Sequence, residues 1–251
     1  MMRLLSSCMG LVNAAGGEST AANCAYVIYF ARGLDDQGRT FLMSDGLGVG
    51  YGARPYADGI DSVYYIAQEN FPVEMLELGY PVRIRSYGVN KDSGGPGRWR
   101  GGAGVVREVE VLADEVTFAL RIDGVAMPSW GVKGGKNGGK GRTVVNPGTP
   151  QERELEPFSD GNVLRRGEVL RLETGGGGGW GHPFDREPLQ VLADVLNGYV
   201  SEGAARSDYG VVLTGDGRSV DETATARLRA ARHEPEGLFH RGRYVDLLEE
   251  A

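Results

Sequence analysis

Two arginines, Arg98 and Arg100, flank Trp99 inside the run Asp92-Ser93-Gly94-Gly95-Pro96-Gly97-Arg98-Trp99-Arg100-Gly101-Gly102-Ala103-Gly104. Guanidinium forks match carboxylates and phosphates bidentately. Glycine N–H groups in a tight loop can form an anion-binding nest. From Pro81 to Arg107 the chain carries Arg83, Arg85, Lys91, Arg98, Arg100 and Arg107 against one acid, Asp92, although its net charge is −7. This basic island supports two readings. It is an anion or subunit-contact site, or it is a structural loop whose arginines pair with internal carboxylates.

The remaining chemistry-bearing residues are sparse. His182, His233 and His240 are the only histidines, and none has a metal-ligand partner at the spacing of an HExxH helix. His182, beside a glycine run, is the candidate for function. His233 ends a predicted helix and His240 falls in a predicted tail. Ser93 only superficially resembles a protease serine, since no histidine base is identified and there is no G-x-S-x-G elbow. Gly176, Gly178 and Gly181 satisfy G-x-G-x-x-G, as any glycine run does. The following helix starts near Pro188, too late for its N-terminus to hold a pyrophosphate. Asp45, Asp58 and Asp61, with Arg54, stud an earlier glycine loop, where aspartates usually cap and turn. Gly131–Arg142 carries Lys133, Lys136, Lys140 and Arg142 and no acid. It reads as a flexible cationic loop closing over a substrate or partner, or as a solvated surface loop. These patterns single out no catalytic group and no metal site.

The elements that must position these residues are short. Glycine, 41 of 251 residues, is about twice its usual share of ~7%. A stretch rich in glycine and proline is a shaped loop, because glycine serves positive φ or close approach and proline fixes φ. Strands are expected at 24–32, 40–43, 81–87, 105–112 and 116–122, with shorter ones at 144–145, 155, 163–164 and 169–172. A glycine-punctuated loop is expected over 44–61, and 62–70 is ambiguous. One helical turn follows Pro72. Beyond Gly175–Gly179 the period becomes helical: Pro188–Leu196 with Gly198 as its stop, Ser201–Arg206 with a serine cap, and Asp221–His233. A buried-type strand is expected at Tyr209–Leu213. The fold class is therefore α+β, with a β-rich, glycine-loop-rich body over 1–185 and a helical segment over 186–251 packed on it as one unit.

Composition limits the function classes. The acidic balance disfavours nucleic acid as a partner. Cys8 and Cys24 form no CxxC pattern, and a reducing cytoplasm fits best. No stretch reaches the ~20 apolar residues of a membrane span. The start, MMRLLSSCMGLVNAAGG, loosely imitates a signal peptide, but its basic and apolar parts are both short. A short buried or docking segment is expected there.

In order along the chain come Gly52-Ala53-Arg54-Pro55 with Asp58-Gly59, then Asn70-Phe71-Pro72-Val73-Glu74 with Glu77, and Tyr80-Pro81-Val82. DSGGPGRWRGGAG from Asp92 follows, with Arg107-Glu108, Trp130-Gly131 and Gly134-Gly135. Thr174 through Gly181 with Pro183 comes next, and last Val191, Asp194-Val195, Gly198, Ala204 and Tyr209-Gly210-Val211-Val212. This ordered set resembles the C-terminal portion of the hydantoinase B/oxoprolinase family. That family spans the B-type component of N-methylhydantoinase, 5-oxoprolinase and the α-type subunits of acetone and acetophenone carboxylases.

The resemblance implies part of an ATP-dependent cyclic-amide hydrolase. The alternatives are a ketone carboxylase subunit and a non-catalytic assembly piece. It implies a hetero-oligomer with an actin-like A-type ATPase, which holds ATP and Mg. A divalent metal and its His/Asp ligands belong to the family's N-terminal half, so the resemblance implies a split subunit paired with a separate chain that supplies that half, a truncated product, or a degenerate relative. Arg98 and Arg100, then Arg54 and His182, with Asp92 and Ser93, are the substrate, anion or interface candidates. The chain alone is expected to be inactive.

Overall fold

The computed structural model describes residues 2–64, 70–233 and 237–242, so part of the ambiguous stretch 62–70 and the tail from 243 lie outside the described residues. The body is a pair of antiparallel sheets. In the first, β1 (Val27–Leu34) lies between β2 (Thr40–Leu47) and β5 (Glu115–Ile122), and β9 (Phe158–Arg165) pairs the other edge of β5. In the second, the order is β3 (Val82–Val89), β4 (Val105–Val111), β10 (Val169–Glu173), β7 (Arg142–Val145) and β8 (Arg153–Glu154). Alternation builds both. Along β4 and β5 every second side chain is buried, the pattern of strands with one face on a core. The inner faces merge in one cluster that includes Val27, Met43, Val109, Phe118, Leu120, Leu164, Leu170 and Leu172. Each such side chain contributes about 1.5–3 kcal/mol by leaving water.

One charged group crosses this core. Arg107 of β4 is 0% exposed; its Nη1 meets Asp45 Oδ2 of β2, which also accepts the Tyr29 hydroxyl at 2.6 Å. The guanidinium lies 4.1 Å from the Tyr87 ring centre, and its Nε and Nη2 have no hydrogen-bond acceptor. Burial raises the Asp45 pKa, and the Arg107 charge pulls it back.

The helical elements follow their caps. α1 (Met2–Ala14) occupies the start of the chain. α2 (Val73–Gly79) follows Pro72. A 3₁₀ turn (Pro183–Asp185) leads into α3 (Pro188–Leu196), α4 (Glu202–Ser207) and α5 (Glu222–Arg229). The Ser201 hydroxyl accepts the Ala204 N–H, and the Asp221 carboxylate accepts that of Ala224. Gly198 ends α3 with φ +82°. A small core of Val191, Val200, Ala205, Tyr209 and Val211 joins α3 and α4 to the segment that follows them. No helix among the described residues is long and apolar enough to cross a membrane.

Four sequence expectations change. Tyr209–Val211 is buried and Val212 and Leu213 are half-buried, but the segment is not a strand: only Leu213 makes an isolated antiparallel bridge, with Val220. Its amides bond the Ala205 carbonyl and the Thr225 hydroxyl, so α4 and α5 satisfy it instead of a sheet edge. The last helix stops at Arg229, not His233. His240 is not in a tail but in β11 (Phe239–His240), paired with β6 (Gly131–Val132). The 131–142 loop is neither free nor wholly solvated: Gly131, Val132, Gly135, Gly138 and Gly141 are buried.

Candidate functional site

At one end of the sandwich, four loop segments and the pentaglycine pack backbone against backbone. Gly175–Gly179 runs through the middle. Its hydrogen bonds reach Gly50, Ala53 and Ala22 on one side, Gly95 and Gly102 on another, and Val132, Lys136 and Gly139 on a third. None of these five glycines has positive φ, and in the Asp92–Gly104 loop the residue with positive φ is Asp92, at 63°. Close approach, not turning, therefore explains these glycines. A methyl on Gly177 would lie closer than 3.0 Å to the Tyr51 carbonyl, and one on Gly101 would meet the Gly177 carbonyl in the same way. No side chain separates the segments, so backbone hydrogen bonds hold the layer. Tryptophans rim it. Trp99 and Trp180 exchange two backbone bonds of 3.0 Å, and their indoles donate to Pro55 and Ser19 carbonyls.

A buried ion network ties this layer to the helical segment. Arg186 is 3% exposed and places both Nη atoms 2.7 Å from Asp58 and its Nη2 2.8 Å from Asp194. Asp58 also accepts the Arg100 N–H at 2.7 Å. Arg100, itself buried, bonds Asp61 and the Gly101 carbonyl and lies 3.6 Å from Asp194 and 4.6 Å from the Tyr199 ring centre. Burial opposes the charge of both arginines, but the facing carboxylates outweigh it and hold both pKa values above the ordinary guanidinium value. Asp194 is pushed up, chiefly by burial. The buried Tyr209 hydroxyl faces these charges without a hydrogen-bond partner, and burial raises its pKa.

The candidates named from sequence fall into three groups. Arg54 and Arg100 converge on Asp58, Arg54 by donating to its carbonyl at 2.8 Å, while the Arg98 carbonyl accepts from Arg186, the partner of Asp58, at 3.1 Å. The Arg98 guanidinium is exposed, 5.8 Å from the Trp99 ring centre, and pairs with no carboxylate among the described residues. Asp92 and Ser93 face the other way. Asp92 accepts the Ser201 N–H at 2.7 Å and donates its own N–H to Tyr199. The buried Ser93 hydroxyl donates to the Asn90 carbonyl at 2.6 Å and accepts the Gly104 N–H at 2.9 Å.

His182 stands apart. Its Nδ1 accepts the Phe184 N–H, leaving Nε2 to donate to the His233 carbonyl at 3.1 Å. It lines a cleft of about 390 Å³ that also holds His233, His240 and the Lys136–Asp208 pair. Thus all three histidines share one cleft, which their sequence positions do not disclose. Among the described residues no three His, Cys, Asp or Glu side chains are placed to hold a metal ion.

Sequence reasoning gave Arg186 and Asp194 no role in the site and read Asp58 and Asp61 as capping or turn residues. Asp58 and Asp61 read as turn formers because their partners lie 39 to 128 positions away. The available signal was the surplus of arginines between Pro81 and Arg107, which requires carboxylates from elsewhere if they are buried.

Residues 1–183 match the family model described as Hydantoinase B/oxoprolinase. The B-type component of a putative D-/L-hydantoinase from Pseudomonas sp. (strain NS671) is 36% identical over 182 residues, covering 71% of this chain and 30% of that protein. The caprolactamase beta chain of Pseudomonas jessenii is 38% identical over 167 residues, 63% of this chain and 28% of that protein. The crystal structure of the ATP-dependent caprolactamase from Pseudomonas jessenii superposes with a TM-score of 0.75 at 30% identity, over 88% of this chain and 40% of the other. The chain spans less than a third of the length of these two curated relatives.

Proposed function

The chain belongs to the hydantoinase B/oxoprolinase family, and on that basis we propose that it forms the C-terminal part of a B-type subunit in a cytoplasmic, ATP-dependent cyclic-amide hydrolase. The observation that carries this reading is the joint likeness to caprolactamase in sequence and in backbone. An unstrained lactam or hydantoin carbonyl is a poor electrophile. In this scheme an actin-like ATPase partner transfers the γ-phosphoryl group of ATP to the amide oxygen, leaving ADP. At the B-type subunit water adds to the activated carbon, and the C–N bond breaks with the nitrogen leaving as the protonated amine. A second water hydrolyses the acyl phosphate to carboxylate and phosphate. Catalysis of this kind rests on positioning and electrostatics more than on protein covalent chemistry.

This chain's residues contribute shape and charge. The glycine layer fixes Arg98 on a rigid backbone, and its unpaired guanidinium suits an anion, either a phosphorylated substrate or an acid on the partner. Arg100, Arg54 and Asp58 hold that loop, while Asp92 and Ser93 hold its entry. The metal that the resemblance assigns to the other half of the family fold finds no ligand set among the described residues.

The test is reconstitution with an A-type ATPase subunit and the remaining B-type portion. The chain alone is expected to show no turnover, and the complex is expected to couple ATP hydrolysis to ring opening of a lactam, hydantoin or 5-oxoproline. Turnover by the chain alone overturns the reading. Activity with a ketone and bicarbonate instead assigns the complex to carboxylation.

A further inference from the structure

Where the flank of the glycine layer meets the helical segment, five pieces of chain line the cleft of about 390 Å³ that gathers the histidines. They are the loop at Gly134–Lys136, the 3₁₀ turn with His182, the end of α4, the residues after α5, and β11. More than half of the lining follows residue 183, where the family match ends. Small-ligand sites begin near about 300 Å³ and set a few polar groups in apolar walls.

The polar groups of this lining leave donors over. His240 Nδ1 accepts the Asn137 N–H, so the neutral ring carries its proton on Nε2, and that N–H has no acceptor among the described residues. The Lys136 ammonium, with N–H groups to spare, gives one to Asp208 at 2.7 Å. Asp208 is the lining's carboxylate, and that bond occupies it. Both ring nitrogens of His182 are engaged as well. Lys133 and Arg241 adjoin the lining residues Gly134 and His240, and neither pairs with a carboxylate among the described residues. The apolar side is Pro183, Phe184 and Ala231, with the Phe184 ring edge-on to His182 and the ring centres 5.2 Å apart.

Spare N–H donors beside an apolar wall select an anion with a compact hydrocarbon body. An ammonium and an imidazole N–H match the two oxygens of a carboxylate through charge-assisted hydrogen bonds. A phosphate would set further oxygens against Pro183 and Phe184, where a polar group without a partner is costly. We propose that this cleft binds a small monocarboxylate, its oxygens on Lys136 and His240 and its apolar body on Pro183 and Phe184. Such binding needs neither ATP nor a partner chain, so its failure leaves the hydrolase reading untouched.

The probe is benzoate, titrated into the isotope-labelled chain at neutral pH and constant ionic strength and followed by backbone amide shifts in NMR spectra. Saturable shifts are expected at Gly135, Phe184 and His240, with a Kd of about 1 mM. The amide of Leu189, whose side chain is exposed on α3, is expected to stay still. Benzamide has the same shape without the charge, and it and inorganic phosphate are each expected to bind at least about tenfold more weakly. Ala231→Glu sets a carboxylate in the exposed part of the wall, and Lys136→Gln removes the ammonium. Each is expected to weaken benzoate at least about tenfold. Circular dichroism checks that each variant keeps its fold, and Ala231→Glu, at an exposed position, carries the test if Lys136→Gln does not fold.

Absent or unsaturable shifts overturn the proposal. So does benzamide binding as well as benzoate, which would leave an apolar cleft with no use for the charge. Phosphate binding as tightly as benzoate, or more tightly, overturns the carboxylate and makes the cleft a site for another anion. Benzoate binding indifferent to Ala231→Glu overturns the location.

Discussion

The sandwich core and the glycine layer solve the same packing problem with opposite means. Between the sheets, side chains such as Phe118, Leu120, Leu170 and Leu172 fill the space, and stability scales with the apolar area removed from water. In the layer, Gly50, Gly95, Gly101, Gly102 and Gly175–Gly179 leave no side chain to bury, and main chains approach to hydrogen-bonding distance on several sides. The first core tolerates an exchange of one apolar side chain for another of similar volume. The second tolerates no added atom. Each glycine in it carries an entropic penalty of about 0.5–1 kcal/mol relative to alanine. What the layer gains is a rigid platform at which Arg98, Asp58 and Trp180 keep fixed positions.

The sharpest way to break this contrast is to add one methyl group. Gly177→Ala places a Cβ against the Tyr51 backbone, which cannot rotate away as a side chain can. The expected loss exceeds about 4 kcal/mol, beyond ordinary overpacking, and is read as failure to recover folded protein or a collapsed urea midpoint. A Gly177→Ala protein of normal stability would show that the layer is plastic. Arg186→Ala comes next. It strands Asp58 and Asp194 without their shared cation, and one-sided removal from a buried network costs about 3–5 kcal/mol. Leu170→Ala removes side-chain atoms from the sandwich and is expected to cost about 3 kcal/mol. Alanine thus harms one region by its presence and the other by its smallness, and chemical denaturation of all three variants ranks them.

The same contrast explains what the sequence discloses. The alternation in 105–111 and 116–122 announces β4 and β5, because a half-buried strand writes its burial into a two-residue period. The caps at Ser201 and Asp221 announce α4 and α5, because a cap is a local hydrogen bond. The glycine run announces a shaped loop but not its neighbours, since a glycine's reason for being there belongs to whichever backbone passes it. Gly177 is explained by Tyr51 and Gly102, far off in the chain. Arg100 and Arg186 are similar. Both are buried ion-pair residues, and nothing local to either names Asp61 or Asp58 as its partner. The Tyr209–Leu213 segment has strand composition, yet its hydrogen-bonding groups go to α4 and α5, a tertiary choice that overrides propensity. His240 joins His182 and His233 in the cleft because β11 folds back onto β6.

Arg98 tests whether the platform has a use beyond its own stability. Its guanidinium is exposed and pairs with no carboxylate among the described residues, so Arg98→Ala is expected to change folding free energy by less than about 0.5 kcal/mol. In a reconstituted complex it is expected to lower turnover by about tenfold or more, with Arg98→Lys recovering part through charge without the planar fork. Steady-state kinetics and thermal melts on the same preparations separate the two effects. Full activity in Arg98→Ala would leave the layer as packing alone.

The smallest effect lies where β11 closes on the flank of the layer. His240 Nδ1 accepts the Asn137 N–H at 3.1 Å, which requires a neutral ring with its proton on Nε2. Burial is the first cause that pushes its pKa below the ordinary imidazole value, and the Lys136 ammonium adds to it, while the Asp208 carboxylate pulls the other way. A released histidine titrates near ~6.5, so the detached strand takes up a proton before the docked one does. Docking of β11 is therefore fully present above about pH 6.5 and is lost as pH falls through the lower folded value. The Lys133 amide, bonded to the Leu238 carbonyl at 3.1 Å, reports it. Its protection from hydrogen exchange, corrected for the intrinsic rate, is expected to fall between about pH 7 and 5. His240→Gln offers an acceptor oxygen that does not titrate and is expected to flatten the profile while leaving the urea midpoint unchanged. A flat profile in the unaltered chain would mean that Phe239, packed near Gly10, holds the strand without the imidazole. The flank of the glycine layer would then be fixed by side-chain packing, as the sandwich is.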